Sequence, residues 1–408
     1  MATSLSLLDD GFAYNLFGDQ PNPRPYYAEL HRLAPVYRTP ADFWYVSTYA
    51  LAREVYGNQE SWSVEPPDRS KAERSWALRL WYRSLMTLDD PEHKRVQRFV
   101  FTLRTRQFIE RLQSTVHEVM DDQWRHIGDR AFDFKEDFAA PVGMKIIMRI
   151  LGLDDKDTDA FVAMSQTMRR VLDPTVSDEE LADADRIWSI AADAVRETAE
   201  SRRSHPRDDV ISTLVSHQDS SDLTEEEVLA IVFQLLVAGN ETSSNSMVNG
   251  LYHLLANPEL FQKVRNDRSL LPSAIEELLR YDSAARNGVA RYATQDFMLG
   301  GERIRQGERV YVGNHPANHD ASVFEDPHEL DLSRSPNRHI AFGFGVHHCL
   351  GSAVARLEMT HGYESIMDRY TEIELVEPEA QWEAGFIRRA LERLPVRGVL
   401  AEPGPVTG

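Results

Sequence analysis

From Asp90 onward, apolar residues recur mostly at the three- and four-residue spacing of helices, with alternation only in short runs. This spacing predicts helices over Pro91–Phe101, Arg104–Arg125, Val142–Leu151, Asp157–Leu172, Ser177–Arg203 and Asp208–His217. The longest begins at Thr224, where Thr224 and Glu227 fit a capping box. Its apolar face runs Val228, Ile231, Val232, Leu235, Leu236, resumes at Met247, Leu251, Leu254 and Leu255, and stops at Pro258. At about 1.5 Å per residue this is a rod of roughly 50 Å, long enough to cross a domain. Another helix follows from Pro272. Before Asp90 the pattern is mixed, with a helix over Pro25–Leu33, a strand pair at Val36–Arg38 and Phe43–Val46, and a short helix over Ser47–Tyr56. Further strands are expected at Arg291–Thr294, Phe297–Leu299 and Arg309–Val312, with a turn at Gly300–Gly301. The expectation is a mainly α chain with a smaller β region, an α+β fold.

Two stretches break the pattern. Residues 61–86 read as irregular, yet carry Trp62, Trp76, Leu80, Trp81, Tyr82 and Met86 among Arg74, Arg79 and Arg83. They form either a binding loop or an aromatic segment packed on the core. Within the long helix, Ala238-Gly-Asn-Glu-Thr242 puts polar groups where packing would favour leucine. Gly-Asn can end a helix, but the apolar face resumes afterwards, so the expectation is a helix opened locally around a site. There Gly239 would leave room for a ligand, and Glu241 with Thr242 would form an acid–alcohol pair suited to moving protons.

Charge and cysteine content narrow the function. Forty-five basic against 65 acidic residues give a formal charge of −20, which disfavours nucleic acid as a partner. No run approaches the roughly 20 apolar residues of a membrane span, and Met1–Phe17 does not read as a secretion signal. The single cysteine excludes an internal disulfide. A cytoplasmic protein with no membrane partner is expected. That cysteine, Cys349, lies in a glycine-rich loop with Gly343, Gly345 and Gly351, directly after His347 and His348 and before the helical spacing of Leu350, Val354 and Leu357. A helix start lowers a thiol pKa, and a thiolate in an apolar frame suits a soft metal centre such as haem iron. A buried, inert cysteine fits the local pattern equally.

Taken together, these stretches resemble the cytochrome P-450 family of soluble bacterial haem-thiolate monooxygenases. The match runs in order through Asp89-Asp-Pro-Glu-His93, Ala238–Thr242, Glu277-Leu-Leu-Arg280, Arg291, Ala317-Asn318 to Phe324, Phe342 to Gly351, and Leu394-Pro-Val-Arg397. It implies a single cytochrome P-450 domain over residues 1–408, with loose ends near 1–15 and 401–408. It further implies haem b with Cys349 as the iron ligand, Phe342 beside the sulfur, and Arg291, His347 and His93 at the propionates. Gly239 would line the cofactor side of the long helix, Glu241 and Thr242 would supply protons for oxygen activation, and Glu277 with Arg280 would form a structural ion pair. Substrate walls would include Arg74, Arg79, Trp81, Arg83, Val237, Asn287, Val289 and Phe386, suiting a hydrophobic or aromatic molecule with an anionic or polar handle. No dinucleotide-binding glycine motif follows a strand, so electrons from NAD(P)H would arrive through a separate ferredoxin and its reductase. Arg95, Arg98, Arg334, Arg338 and Arg356 are the candidate docking cations.

The family usually has arginine where this chain has Gln97. Asn314-His-Pro-Ala-Asn-His319 adds two histidines that the resemblance does not explain, although Pro316 argues against a helical metal pair there. A haem-thiolate relative that couples, isomerises or only binds its ligand is the alternative function. A cysteine-nucleophile enzyme is the remaining rival.

Overall fold

The computed structural model describes residues 8–128, 131–171, 176–220 and 222–401. Of the expected loose ends, 1–7 and 402–408 lie outside these residues, as does Leu172 at the end of one expected helix. The chain divides into two compact units: residues 1–62, 116–142 and 242–408, and residues 63–115 and 143–241. Their boundary falls inside the longest helix, Glu225–Leu255, between Glu241 and Thr242.

In the first unit, strand Val36–Arg38 pairs antiparallel with Trp44–Val46, which runs parallel to Arg309–Val312. Arg291–Ala293 pairs antiparallel on the other side of that strand. Helix Tyr49–Gly57 covers this sheet, burying Ala52, Val55 and Tyr56 against Val310 and Val312. A second sheet, not expected from the sequence, joins Phe132–Asp133, Pro395–Leu400 and Tyr370–Leu375. Its pairing of Phe132–Asp133 with Pro395–Leu400 joins segments more than two hundred residues apart, which leaves no local signal.

The helix that follows the cysteine loop, Ser352–Arg369, crosses the C-terminal half of the long helix at close range. A Cβ on Gly250 would lie 2.2 Å from the Tyr363 hydroxyl, and one on Gly362 would lie 2.5 Å from the Met247 sulfur. The Tyr363 hydroxyl donates to the Met247 carbonyl at 3.0 Å. Two glycines thus fix how near these helices approach, and larger side chains would force them apart.

In the second unit, helices Asp178–Ser204 and Glu225–Leu255 meet through Trp188 and Phe233, in edge contact at 5.3 Å. The segment 61–86 is more ordered than its sequence suggests, containing helices Ser70–Arg74 and Trp76–Trp81. The second is N-capped by Ser75 and braced from a distant helix, where Asp185 accepts from Ser75 Oγ and from the backbone N–H groups of Trp76 and Ala77. Helices of five or six residues are too short to show periodicity, and this brace comes from tertiary structure. Leu78, Leu80 and Trp81 are buried, so packing takes most of this segment's aromatic and aliphatic surface.

Candidate functional site

Cys349 is half-buried at the end of a loop shaped by backbone geometry. Gly343 and Gly345 adopt φ of +70° and +77°, a region that strains any residue with a Cβ. At Gly345 a Cβ would also lie 2.6 Å from the carbonyl oxygen of Tyr56. The Cys349 N–H donates to the Phe342 carbonyl at 2.9 Å, and Gly343 N–H to Ile340 at 2.9 Å. Beyond Gly351, whose missing Cβ faces open space, the helix Ser352–Arg369 begins.

Side chains brace the loop from behind. Arg356 lies 4.6 Å over the Phe342 ring and donates to both oxygens of Glu276, at 2.6 and 2.8 Å. Glu276 also meets His339 Nε2 at 3.0 Å. Burial alone would raise the Glu276 pKa, but Arg356 and His339 hold it at about 2. Asn318 Oδ1 accepts the Ile340 N–H at 2.7 Å. The frame of the sulfur is therefore built without using the sulfur.

The donor set fits haem. Among the described residues no group of three or more His, Cys, Asp or Glu side chains could hold a metal. A lone thiolate presented by a glycine loop suits a metal that arrives with its other ligands already attached, as porphyrin iron does.

Arg291 is buried and donates to the carbonyls of Val289 and Ala290 at 3.2 and 3.3 Å, with its guanidinium 5.5 Å from the Tyr56 ring centroid. Tyr56 links this arginine to the cysteine loop: its carbonyl abuts Gly345, and its hydroxyl donates to Asn314 Oδ1 at 2.7 Å. Sequence reasoning missed Tyr56, which looks like any apolar residue on a short helix. His347 closes the 3₁₀ turn Gly345–His347.

Glu277 and Arg280 form a fully buried bidentate pair, 2.8 Å at each contact. Arg334 Nε, Asn337 Nδ2 and the Asp331 N–H also donate to Glu277. Arg280 spends its other donors on the carbonyls of Asn318, Pro327 and Glu329. Of the arginines read from sequence as docking cations, Arg334 is thus committed inside the protein, while Arg356, paired with Glu276, keeps part of its side chain exposed.

Two expectations about the long helix are corrected. It runs as α-helix through Ala238–Thr242 without a break. Gly239 does not open space on its own side: a Cβ there would lie 3.0 Å from Ile147 Cδ1, so the glycine admits a neighbouring side chain. Further along the same helix, buried polar residues find partners. Ser246 Oγ accepts from the Ala284 N–H, and Asn249 donates to the carbonyls of Asp282 and Arg389. Glu241 is half-buried, while Thr242 is exposed amid buried neighbours.

About two turns into the helix beyond the cysteine loop, sequence reasoning also missed Glu358. It is 2% exposed, hydrogen-bonds Ser243, and has no hydrogen-bond partner at Oε2. Burial pushes its pKa up to about 8, against a smaller downward pull from Ser243. The folded protein therefore keeps this proton where the unfolded chain, with a glutamate pKa of about 4.3, releases it. Stability from this group is full below about pH 4, declines as pH rises towards 8, and is lost above it. Glu358→Gln is expected to flatten that part of the profile, read by urea unfolding at a series of pH values. An unchanged slope would contradict the assignment.

In the second unit, His93 is buried on helix Glu92–Gln97. Burial lowers its pKa, outweighing the nearby Asp90 and Asp89, so near neutral pH it offers an N–H and no charge. The neighbours of Gln97 are already engaged: Arg95 with Glu92 and Glu227, and Arg98 with Asp222 at 3.8 Å. Arg74 pairs with Asp178, while Arg79 and Arg83 share Glu226. Arg79 and Arg83 line a cavity of about 390 Å³, together with Arg69, Tyr82 and Leu88. Trp81 is buried and Val237 half-buried.

In the first unit, Asn287 spends its amide internally, accepting from the Tyr45 hydroxyl and donating to the Phe386 carbonyl, each at 2.7 Å. Phe386 stacks on Phe17 at 4.5 Å and packs edge-on to Tyr311. Val289 remains half-buried. His315 and His319 are buried, and burial lowers both pKa values, that of His315 to about 3. His315 Nε2 meets the Ser283 carbonyl and His319 Nδ1 the His315 carbonyl.

A cytochrome P450 family model matches residues 26–384. The chain is 34% identical over 318 residues to cytochrome P450 107B1 of Saccharopolyspora erythraea, covering 77% of this chain and 76% of that one. It is 33% identical over 382 residues to the mycinamicin IV hydroxylase/epoxidase of Micromonospora griseorubida, covering 91% and 94%. The crystal structure of P450BioI in complex with hexadec-9Z-enoic acid ligated acyl carrier protein superposes with a TM-score of 0.86 at 30% identity, covering 92% and 98%. Among the described residues, no helix is long and apolar enough to cross a membrane.

Proposed function

The chain belongs to the cytochrome P450 family and is a monooxygenase, and from that premise we propose that it inserts one oxygen atom from dioxygen into a hydrophobic or aromatic small organic molecule of secondary metabolism. The observation that carries this reading is the Cys349 loop, which frames one sulfur where, among the described residues, no cluster of three or more metal-ligating side chains is found. Haem b bound through that sulfur supplies the oxygen-activating iron. A single domain over residues 1–408 carries the activity.

The chain's own residues do the rest. Phe342, held by Arg356, packs beside the sulfur. Arg291 and His347 bind propionate, and His93 does so as a neutral N–H donor. With Gln97 in place of arginine, haem is held with one cation fewer in that segment. Glu241 and Thr242 pass protons for oxygen activation, and the half-buried carboxylate and exposed hydroxyl suit that task. Electrons come from NAD(P)H through a ferredoxin and its reductase.

Thr242→Ala tests the proton role. With a ferredoxin and reductase supplying electrons, product formation is expected to fall by roughly 10²-fold, while electron consumption continues and appears as hydrogen peroxide. Substrate-induced spectral shifts should be nearly unchanged, because the hydroxyl is assigned no part in binding. Unaltered coupling of electrons to product would remove Thr242 from the proton path.

A further inference from the structure

The interior around Arg286 contains more positive charge than its carboxylates neutralise. Arg286 is fully buried, and its Nη1 donates to the carbonyls of Leu16 and Gly385 at 3.0 and 2.9 Å and, at longer range, to Gly18. Its Nε and Nη2, also buried, have no hydrogen-bond partner. The nearby carboxylate is Asp282, 2% exposed and already in use. Arg389 Nε donates to its Oδ1 at 2.6 Å, His253 meets its Oδ2 at 2.8 Å, and Arg24 lies 3.8 Å away. Arg389 is itself fixed, stacked 3.5 Å over Trp382 and donating to the carbonyls of Gln20 and Pro21.

Among the described residues, no other group near Arg286 supplies the missing negative charge. Tyr27 is buried within electrostatic reach of Arg286, and its hydroxyl has no partner. Burial raises its pKa, so it remains a phenol and a donor. Tyr45 is likewise a phenol and donates to Asn287. His253, His315 and His319 are held neutral by burial. Arg24, Arg286 and Arg389 thus share one carboxylate. A guanidinium buried without a counter-charge is costly, and arginine does not escape by losing its proton. Water answers the charge poorly, because it brings two hydrogens to a place whose unpaired groups are donors.

We propose that this interior binds one small inorganic anion, a halide, against Nε and Nη2 of Arg286 and the hydroxyl of Tyr27. The site ties the N-terminal segment near Leu16–Gly18 to the segment at Gly385 through the arginine they share. It is structural, and independent of the oxygenase reading.

The test uses the holoenzyme, dialysed free of halide. Its unfolding temperature is compared in sodium chloride and in sodium gluconate at equal ionic strength, gluconate being too bulky for a buried site. Chloride at a hundredfold excess over Kd is expected to raise the unfolding temperature by about 3 °C, from ligand linkage and the usual unfolding entropy per residue. Arg286→Met should abolish the difference between the salts. Should that variant fail to fold, Tyr27→Phe is expected to fold and shift the chloride response to higher concentration. Bromide soaked into crystals should give anomalous scattering beside Arg286. Equal unfolding temperatures in the two salts would overturn the proposal, as would a response that both variants retain, or bromide absent from that position.

Discussion

The Cys349→Ser protein is expected to fold and yet lack the strongly red-shifted Soret band that the reduced, carbon-monoxide-bound form of the unsubstituted protein should show. Folding is expected because the loop is held by backbone bonds, by Asn318 and by the Glu276–Arg356 pair, none of which uses the sulfur. The band is expected to vanish because a serine hydroxyl does not replace thiolate as a strong electron donor to haem iron. Monooxygenase activity should fall to background. The measurement is a carbon monoxide difference spectrum beside a circular dichroism melt. If the unsubstituted protein binds no haem, or Cys349→Ser keeps the shifted band, Cys349 is not the ligand.

Glu277→Ala is expected to cost roughly 3–5 kcal/mol, the usual effect of removing one partner from a buried ion pair. Glu277 and Arg280 are fully buried, and Arg334 donates to the same carboxylate while only 10% exposed. Alanine would leave both guanidiniums without their counter-charge, while the carbonyl contacts of Arg280 would satisfy hydrogen bonding alone. For a chain of this length the loss is about 4–6 °C in unfolding temperature, from an unfolding entropy near 2 cal/mol/K per residue. Denaturant unfolding of the variant measures it. A cost below about 1 kcal/mol would mean that the cluster behaves like an exposed pair. The double substitution Glu277→Met with Arg280→Met should recover part of the loss, since it buries no unpaired charge between those two positions.

The legible parts of this protein were local ones. The cysteine loop could be read because its glycines, histidines and cysteine lie within a few positions, and Gly343 and Gly345 do adopt the positive φ that glycine permits. The helices could be read because periodicity over ten or more residues survives any packing detail. Helix Arg24–Leu33 and the strand pair beginning at Val36 lie close to where the pattern put them. Glu277 and Arg280 were recognised as a pair from their spacing and position, although spacing alone could not tell burial from exposure.

Other features depended on distant partners. Ala238–Thr242 looked like an interruption because its polar residues lacked visible neighbours. In the folded chain the helix runs on through it with Ile147 packed beside Gly239, and the turns that follow pair their own polar groups, Ser243 with Glu358 and Asn249 with two carbonyls. The 61–86 segment looked irregular because its helices are only five and six residues long and part of the support at the start of the second comes from the distant Asp185. Arg74, Arg79 and Arg83 read as substrate-facing cations and Arg334 and Arg356 as docking cations, while their carboxylates lie elsewhere in the chain. Sequence alone determined the helical framework and the family, and marked the cysteine loop as the candidate thiolate, because each depends on residues close together or on a periodic pattern. Tertiary structure alone decided that Tyr56 joins Arg291 to that loop, that Glu358 keeps its proton, and that Arg286 lacks a counter-charge. Each of those depends on desolvation and on contacts between residues far apart in the chain, which no local pattern records.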